Sequence, residues 1–206
     1  MDALPLESAG YEGTYKLVGG QSSLDLVNTL AWRGRDREHE WLDRPSNVTL
    51  WASEIGIIDE EERRRLDEAS NRSPDGGRSD LERVHQIRQV IGDSLSPLAR
   101  GNRPPPVAVD RLNSLLEAVS RRRRIDPTTL RWSWLSPMTL EDLMAPVIWN
   151  AGEVLTGVEP ERLGHCPSCD WLFHDTTRNR SRRWCDMADC GSRDKALRYY
   201  HRHKTA

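Results

Sequence analysis

Apolar residues recur every three or four positions along much of the chain, which is the spacing of one face of an α-helix. The clearest repeat predicts a helix from about Ser79 to Ser96, which Pro97 ends. Its members are Leu81, Val84, Ile87, Ile91 and Leu95. Similar spacings predict shorter helices over residues 22–30, 46–56, 109–120 and 139–155. Acids in the first turn followed by arginines in the next predict a short helix over residues 59–70. The chain is therefore predicted to be mainly α-helical.

Other features interrupt this helical pattern. Residues 71–80 are rich in glycine and polar side chains, and we expect a surface turn there. Pro146 is expected to kink or split the helix that contains it, because proline has no backbone N–H to donate. Leu130, Trp132 and Trp134 alternate with polar residues, which predicts a strand with these three side chains on one side, and so a short β-ribbon.

The chain has 206 residues, enough for one ordinary domain and a small additional one. Gly157 and Pro160 mark a change in the pattern, and we predict a helical domain over residues 1–158 and a small domain over residues 159–206. Ten Lys and Arg residues stand against six Asp and Glu residues from Glu161 onward, although the whole chain has a net charge of −2. This division predicts that the small domain contacts an anion.

The sequence also gives expectations about location. It has no run of about 18 apolar residues, so no membrane contact is predicted. Residues 1–16 lack the basic and apolar regions of a secretory signal, which predicts a cytoplasmic protein. In a reducing compartment, clustered cysteines bind metal more often than they form disulfides.

All four cysteines lie in one short segment with the spacing C-x2-C-x15-C-x4-C; they are Cys166, Cys169, Cys185 and Cys190. The first pair forms a tight turn, the alternating residues that follow predict a hairpin strand, and the fourth cysteine stands where a helix is predicted to begin. This is the layout of treble-clef-like zinc modules. We therefore predict one structural zinc ion held by the four thiolates, which also stabilises a segment with few large apolar residues.

Other uses of these cysteines remain open from the sequence. Two disulfides, a redox-active thiol pair or a catalytic zinc site would use the same residues, and His165 or His174 can replace one thiol as a ligand. The lack of an export signal disfavours the disulfides, and the lack of a βαβ pattern disfavours the redox pair. A closed structural site is favoured because four thiols are present.

Basic residues surround the cysteines: between Arg178 and Lys204, nine of them stand against three acids. The loop before the third cysteine and the helix after the fourth are expected to form one positive surface, with Ala196, Leu197 and Tyr200 packed inward. Such a surface binds phosphates, and an arginine in the major groove reads guanine. A solvated charged face with internal Arg–Asp pairs is the alternative. The predicted DNA-binding residues are Arg178, Arg180, Arg182, Arg183, Ser192, Arg193, Lys195, Arg198 and Arg202.

The pattern C-x2-C followed by W-C-x4-C-G-S-R-x-K, with a pair of tyrosines and a basic end, resembles the CGNR zinc finger. In that family, the finger follows an N-terminal domain named ABATE. The segments "GGQSSLDLVNT" (residues 19–29) and "TLWASEIGII" (residues 49–58) are similar to parts of that domain. The resemblance covers nearly the whole chain, and it implies a bacterial, stress-induced transcription regulator with a helical N-terminal domain and a zinc finger.

Ser192 departs from the family's name-giving motif. That motif reads Cys-Gly-Asn-Arg, whereas this chain has Cys190-Gly191-Ser192-Arg193. We expect Ser192 to cap the helix as asparagine does, so that the fold is retained. If the family's asparagine contacts DNA, that contact differs in this chain.

Two pairs of residues in the larger domain are candidate ligand-binding positions. Asp25 and Asn28 lie three apart on the first predicted helix and share a face, and the alternative is a hydrogen bond at the helix end. Trp132 and Trp134 would wall an apolar pocket together with Trp149, and the alternative is a place in the core.

These features favour a DNA-binding transcription regulator whose helical domain senses a small-molecule effector or a stress signal. A homodimer is expected, because palindromic operators usually bind dimers. The second hypothesis is a zinc-stabilised protein-interaction module, and the third is a small-molecule-binding enzyme with a structural zinc. The sequence has no nucleophile–base set, phosphate loop or catalytic metal pair, so the chain is predicted not to be an enzyme.

Overall fold

The computed structural model describes residues 3–6, 13–34 and 38–204, with side chains described as far as residue 200. Helices dominate this part of the chain, and three two-stranded antiparallel sheets lie among them. The helices are α1 (Ser22–Asn28), α2 (Pro45–Glu54), α3 (Glu60–Arg72), α4 (Pro74–Ala99), α5 (Pro106–Ser120), α6 (Leu140–Leu143), α7 (Ala145–Gly157) and α8 (Ser192–Lys204). The strands are β1 (Leu30–Ala31), β2 (His39–Glu40), β3 (Arg123–Ile125), β4 (Trp132–Trp134), β5 (Leu163–His165) and β6 (Leu172–His174). The predicted fold class, mainly α with short β-ribbons, is confirmed.

Helix α4 is the central element of the larger domain. Its 26 residues span about 39 Å at 1.5 Å per residue, and helices α1 to α3 and α5 to α7 all pack against it. Val84, Ile91 and Leu95 are completely buried along its inward stripe, as the apolar repeat predicted. No helix in the described ranges is both long enough and apolar enough to cross a membrane.

The predicted split at Pro146 is confirmed. The hydroxyl of Thr139 accepts a hydrogen bond from the backbone N–H of Asp142 at 3.2 Å and so caps α6. Pro146 then lies in the first turn of α7. Backbone N–H groups in the first turn of a helix have no intrahelical acceptor, so a proline there removes no hydrogen bond.

Both ends of α4 differ from the prediction. Residues 71–80 do not form a turn, because α4 begins at Pro74, whose fixed φ suits the first helical position. Gly77 is buried in the first turns of α4, and a Cβ there would lie 3.2 Å from the Cβ of Ser70, so close packing of the two helices favours glycine. Pro97 lies inside the last turn instead of ending the helix, where it removes only one intrahelical hydrogen bond.

The predicted strand at residues 132–134 is present as β4, which pairs with β3 so that Trp132 lies opposite Ile125. Leu130 was expected on the same side, but it lies in the connecting turn with φ 53° and is exposed. The β1–β2 ribbon was not predicted from the sequence. Its two strands are two residues long, which is too short for an alternating pattern to be recognised.

Strands β5 and β6 form a hairpin that packs against the larger domain. Helix α1 contacts β6 and helix α4 contacts β5. Leu163, Leu172 and Phe173 are buried in the same continuous core as the helices, together with the four cysteines. The larger domain therefore supplies much of the apolar packing of the small one.

Candidate metal centre and basic surface

The first pair of cysteines lies in a tight turn that follows β5. The backbone N–H of Asp170 donates to the carbonyl of Cys166 at 2.8 Å, and the N–H of Cys166 donates to the carbonyl of Trp171 at 2.8 Å. Asp170 has φ 64°, which lets the chain reverse and enter β6. This closed turn holds the thiols of Cys166 and Cys169 on one side of the hairpin, where both are buried.

The second pair of cysteines spans a short π-helical turn over Met187–Gly191. The carboxylate of Asp186 caps this turn by accepting from the backbone N–H of Ala188 at 2.7 Å. Helix α8 continues directly from it, so Cys190 lies at the start of a helix as predicted.

The prediction that Ser192 caps this helix was wrong. Asp186 performs the capping six residues earlier, and Ser192 already has helical dihedral angles. Its hydroxyl donates to the carbonyl of Met187 at 3.2 Å.

The four thiols fit a zinc ion. The Sγ atoms of Cys166, Cys169, Cys185 and Cys190 all lie within 4.8 Å of one another, and all four residues are buried. The Sγ–Sγ distances are 3.4 Å between Cys169 and Cys185 and 3.6 Å between Cys185 and Cys190. Zn–S bonds of about 2.3 Å at tetrahedral angles give separations of about 3.8 Å. These distances are too long for disulfide bonds.

The chemistry of the thiols also calls for a cation. Neighbouring thiols and burial raise the pKa of Cys169 and Cys185 well above the usual range, so the four groups cannot all ionise without a cation among them. His165 and His174 are not part of the cluster. The ring Nδ1 of His165 is 3.3 Å from the carbonyl of Ala99, and that of His174 is 3.4 Å from the Gln21 amide nitrogen. The centre therefore holds one structural zinc ion through cysteines alone.

Asn28 links the larger domain to the zinc-bearing hairpin. Its side-chain amide donates to the carbonyl of Leu172 at 2.9 Å and accepts from the N–H of Leu172 at 2.7 Å. Asn28 is 1% exposed, and both bonds are buried. The alternative of a structural hydrogen bond therefore describes Asn28 better than direct recognition of a ligand by its amide.

Asp25 is also bound within the protein. Its Oδ1 accepts a hydrogen bond from the backbone N–H of Gly19 at 2.7 Å, and its backbone carbonyl accepts one from the Tyr15 hydroxyl at 2.6 Å. Burial raises the pKa of the Asp25 carboxyl to about 7, although the Gly19 N–H and the charge of Arg182 oppose the shift. Asp25 thus fixes the residues 15–19 that border the finger.

Arg182 was predicted to contact DNA, but its guanidinium is bound inside the protein. It donates to the carbonyls of Val18 at 2.7 Å and Cys185 at 2.6 Å, and more weakly to those of Trp184 and His174. Its Cζ also lies 4.5 Å from the centre of the Phe173 ring. Arg182 therefore joins the loop before the third cysteine to the larger domain. It does not belong to the exposed basic surface that was predicted to bind DNA.

Lys16 makes a second link, which the sequence analysis missed. Its Nζ lies 2.6 Å from a carboxylate oxygen of Asp189 and 3.2 Å from one of Asp186. The hydrogen bond to Asp189 is the main cause of its raised pKa. No local sequence pattern predicts that Lys16 pairs with residues 170 and 173 positions away.

Trp132, Trp134 and Trp149 do not together wall a pocket among the described residues, although Trp134 borders a cavity of about 360 Å³ beside α6. Trp132 is 61% exposed, whereas Trp134 is half-buried and packs edge-on to Trp149 at 6.2 Å between ring centres. The guanidinium of Arg123 lies 4.3 Å from the Trp132 ring centre and 4.2 Å from that of Trp149. The predicted pocket is thus replaced by a stack of indoles around an arginine.

The remaining basic residues lie on the surface of the finger. The exposed ones are Arg178, Arg180, Arg183, Arg193, Lys195 and Arg198. Arg180 pairs with Glu159 and Arg198 with Asp194, while the Arg183 guanidinium lies 5.5 Å from the Trp184 ring centre. Arg202 belongs to α8, but its side chain lies outside the described part of the structure.

The inward face predicted for α8 is exposed. Leu197 is 54% exposed and Tyr200 is 57% exposed, and Ala196 is also on the surface. Near the start of the helix, the Arg193 guanidinium lies 5.6 Å from the ring centre of Trp32 in the larger domain. From Lys195 to Tyr200, apolar and basic side chains share the exposed surface of the helix.

The fold and the four-thiol centre define a zinc-finger protein with a helical N-terminal domain. The ABATE family model, described as "Putative stress-induced transcription regulator", matches residues 20–158, and the CGNR zinc finger model matches residues 162–203. The chain belongs to the ABATE family and carries a CGNR zinc finger, as the sequence motifs indicated. No curated protein matches the chain in sequence.

Proposed function

We propose that this protein is a transcription regulator whose zinc finger binds DNA. One observation carries the proposal: a single zinc centre fixes the start of α8 and the loop before the third cysteine, and both expose basic side chains. Phosphate contacts supply most of the affinity of such a surface for DNA, and they do not depend on the base sequence. The family description of a stress-induced transcription regulator supports the same function.

The contacts within the finger divide its arginines into two groups. Arg182 holds the finger together, whereas Arg178 and Arg183 on the loop, and Arg193 and Lys195 on α8, have exposed side chains. Among them, the Arg193 guanidinium lies 5.6 Å from the ring centre of Trp32 in the larger domain. The exposed group constitutes the proposed DNA-binding surface. Ser192 lies beside it with an exposed side chain and with its hydroxyl directed to the helix backbone.

A second candidate function is contact with a protein partner. The exposed Leu197, Tyr199 and Tyr200 on α8 favour it, because tyrosines and apolar side chains are typical of the centres of protein interfaces. A second copy of this chain is one such partner. A homodimer with paired fingers would double the DNA contact, and its presence is measured by light scattering on the purified protein.

Binding of a fluorescent DNA duplex to the zinc-loaded full chain tests the DNA proposal. The double variant Arg178→Ala, Arg183→Ala removes two exposed charges, so we expect weaker binding and a salt slope smaller by about two. The double variant Arg72→Ala, Arg124→Ala is the matched control, because both arginines are exposed on the larger domain. Equal loss in both variants, or none in either, would contradict the assignment to the finger.

In the proposed regulator, the helical domain receives the signal. Helices α1 and α4 contact the finger directly, so a change in their packing reaches the zinc centre. A thermal shift of the purified protein on addition of an effector, followed by altered DNA affinity, is the measurement that checks this role.

A further inference from the structure

A cavity of about 530 Å³ lies between α1, α4, α5 and the cysteine turn of the finger. Its volume is in the range of small-molecule sites. Its walls include Val27 and Asn28 of α1, Gly92 of α4, and Cys169 and Trp171 of the finger. A molecule bound there would contact the helical domain and the zinc-bearing turn at once.

Arg33 is the most unusual group in this cavity. Its side chain is half-buried, and within the described residues its guanidinium forms no hydrogen bond or ion pair. Burial is the main reason that the pKa of Arg33 is lowered; the charges of Arg88 and Arg100 lower it further, while Asp93 and Glu38 oppose the shift. An arginine in such a place is normally paired, since taking an unpaired charge out of water is unfavourable.

The structure makes room for this guanidinium. Gly92 lies inside α4, where glycine is less favourable than alanine. A Cβ at that position would lie 3.2 Å from one terminal nitrogen of Arg33 and 3.5 Å from the other. Gly92 therefore allows the guanidinium to approach the helix closely, at the wall of the cavity.

Trp171, which lines both this cavity and a neighbouring one, carries a second unpaired donor. The indole N–H of Trp171 is buried and has no acceptor among the residues that the structure describes. Buried N–H groups are almost always hydrogen-bonded, so this one calls for an acceptor. The Arg33 guanidinium, which faces the cavity, offers donors only, which is the complement of an anion.

The rest of the cavity combines positive charge with apolar surface. Arg100 and Arg111 add two more guanidinium groups, against the carboxylates of Asp93 and Asp170. Asp93 already accepts from Gln89 at 2.6 Å, and Asp170 lies 3.8 Å from Arg100. The apolar lining is formed by Val27, Leu30, Pro97, Pro105, Val107 and Ala108.

We propose that this cavity is the effector site and that it binds a small organic anion, with a carboxylate or phosphate on Arg33 and an apolar body along α5. If the protein is a transcription regulator, as proposed above, this cavity is where it receives its signal. The regulatory role of the ligand rests on that proposed function, whereas binding of the anion itself does not. The bound anion contacts the turn that holds Cys169, so its binding is coupled to the position of the finger.

Calorimetric titration of the zinc-loaded full chain tests the site, with benzoate and phenyl phosphate as anionic probes and benzamide as the neutral one. We expect saturable binding of at least one anion, at least about tenfold tighter than that of benzamide, because charged hydrogen bonds are the stronger ones. Arg33→Gln is expected to weaken it about tenfold, and Arg72→Gln, an exposed arginine outside the cavity, is expected to leave it unchanged.

If Arg33→Gln does not fold, Arg111→Gln replaces it as the test of anion binding. Arg111 lines the cavity with an exposed side chain, so its substitution should not disturb the fold. No saturable anion binding up to about 10 mM would overturn the proposal. It is equally overturned if benzamide binds as tightly as the anions, or if the cavity variants bind like the wild-type protein. These titrations contain no DNA, so their failure is distinct from failure of the DNA-binding proposal.

Discussion

The helical domain and the finger reach stability by different means. The helical domain buries large apolar side chains around α4, among them Val84, Ile91 and Leu95, and is expected to keep its fold through that packing alone. The finger has a small core of four thiols, Leu163, Leu172 and Phe173, so it depends on zinc and on its contacts with α1 and α4. The finger is therefore stabilised in two ways, by the metal and by its packing against the helical domain.

The largest expected effect is loss of the metal. Cys185→Ser removes one of four ligands, and structural zinc contributes about 10–16 kcal/mol in isolated zinc-finger peptides. We expect zinc content to fall from one ion per chain to well below one, with loss of hydrogen-exchange protection in residues 163–200 while α4 stays protected. Loss of protection in both regions together would show that the helical domain also depends on the metal.

Arg182→Ala is expected to have the next largest effect, because it removes hydrogen bonds to four backbone carbonyls, including that of Val18 in the larger domain. We expect the free energy of unfolding to fall by about 2–4 kcal/mol in urea titrations. Arg183→Ala is the adjacent control, since its exposed side chain should change stability by no more than about 0.5 kcal/mol. Equal effects would contradict the division of the arginines into internal and exposed groups.

Asn28→Ala tests the docking of the finger on the larger domain, because Asn28 of α1 holds the backbone of Leu172 in the finger. The buried backbone N–H and carbonyl of Leu172 would lose their partner, at a cost of about 1–3 kcal/mol. Asn113→Ala on the exposed side of α5 is the control. Zinc should stay bound in both variants, so calorimetric unfolding and metal analysis together separate docking from metal binding. Release of zinc from Asn28→Ala would mean that the two cannot be separated.

Asp25 gives a smaller, pH-dependent effect. Its folded-state pKa of about 7 lies above the ordinary value of 3.8, so between these values the native state holds a proton that the unfolded chain has lost. This contribution to stability is therefore complete below about pH 4 and is lost as the pH rises to 7, with a slope of at most about 1.4 kcal/mol per pH unit. Asp25→Asn should flatten the slope of the melting temperature between pH 5 and 7, and an unchanged slope would rule out Asp25 as its source.

Local patterns predicted much of the structure. The apolar repeats predicted the principal helices, Pro146 predicted the split before α7, and the cysteine spacing predicted the zinc centre with its hairpin and helix. These features depend on residues within a few turns of one another or on the strong preference of zinc for thiolates. The start of α4 was not predicted, because packing against α3 outweighs the turn preference of its glycines.

Contacts between distant residues account for most of what the sequence analysis assigned differently. The charge of Arg182 indicated a surface position, but its partner Val18 lies 164 positions away. Asn28 was singled out as polar in an apolar stretch, and only the fold shows that its partner is Leu172. The cavity at Arg33 is formed by three helices and the finger, so no single segment carries its pattern.

Selection of bound duplexes from a random DNA library by the zinc-loaded full chain is the decisive test of whether the finger binds DNA as a regulator. If the exposed surface of the finger binds DNA as a regulator does, bound duplexes should share an enriched motif, and Arg178→Ala with Arg183→Ala should reduce their recovery. Recovery that shows no motif and is unchanged by that double variant would contradict the claim, and the exposed face of α8 would then be assigned to a protein partner.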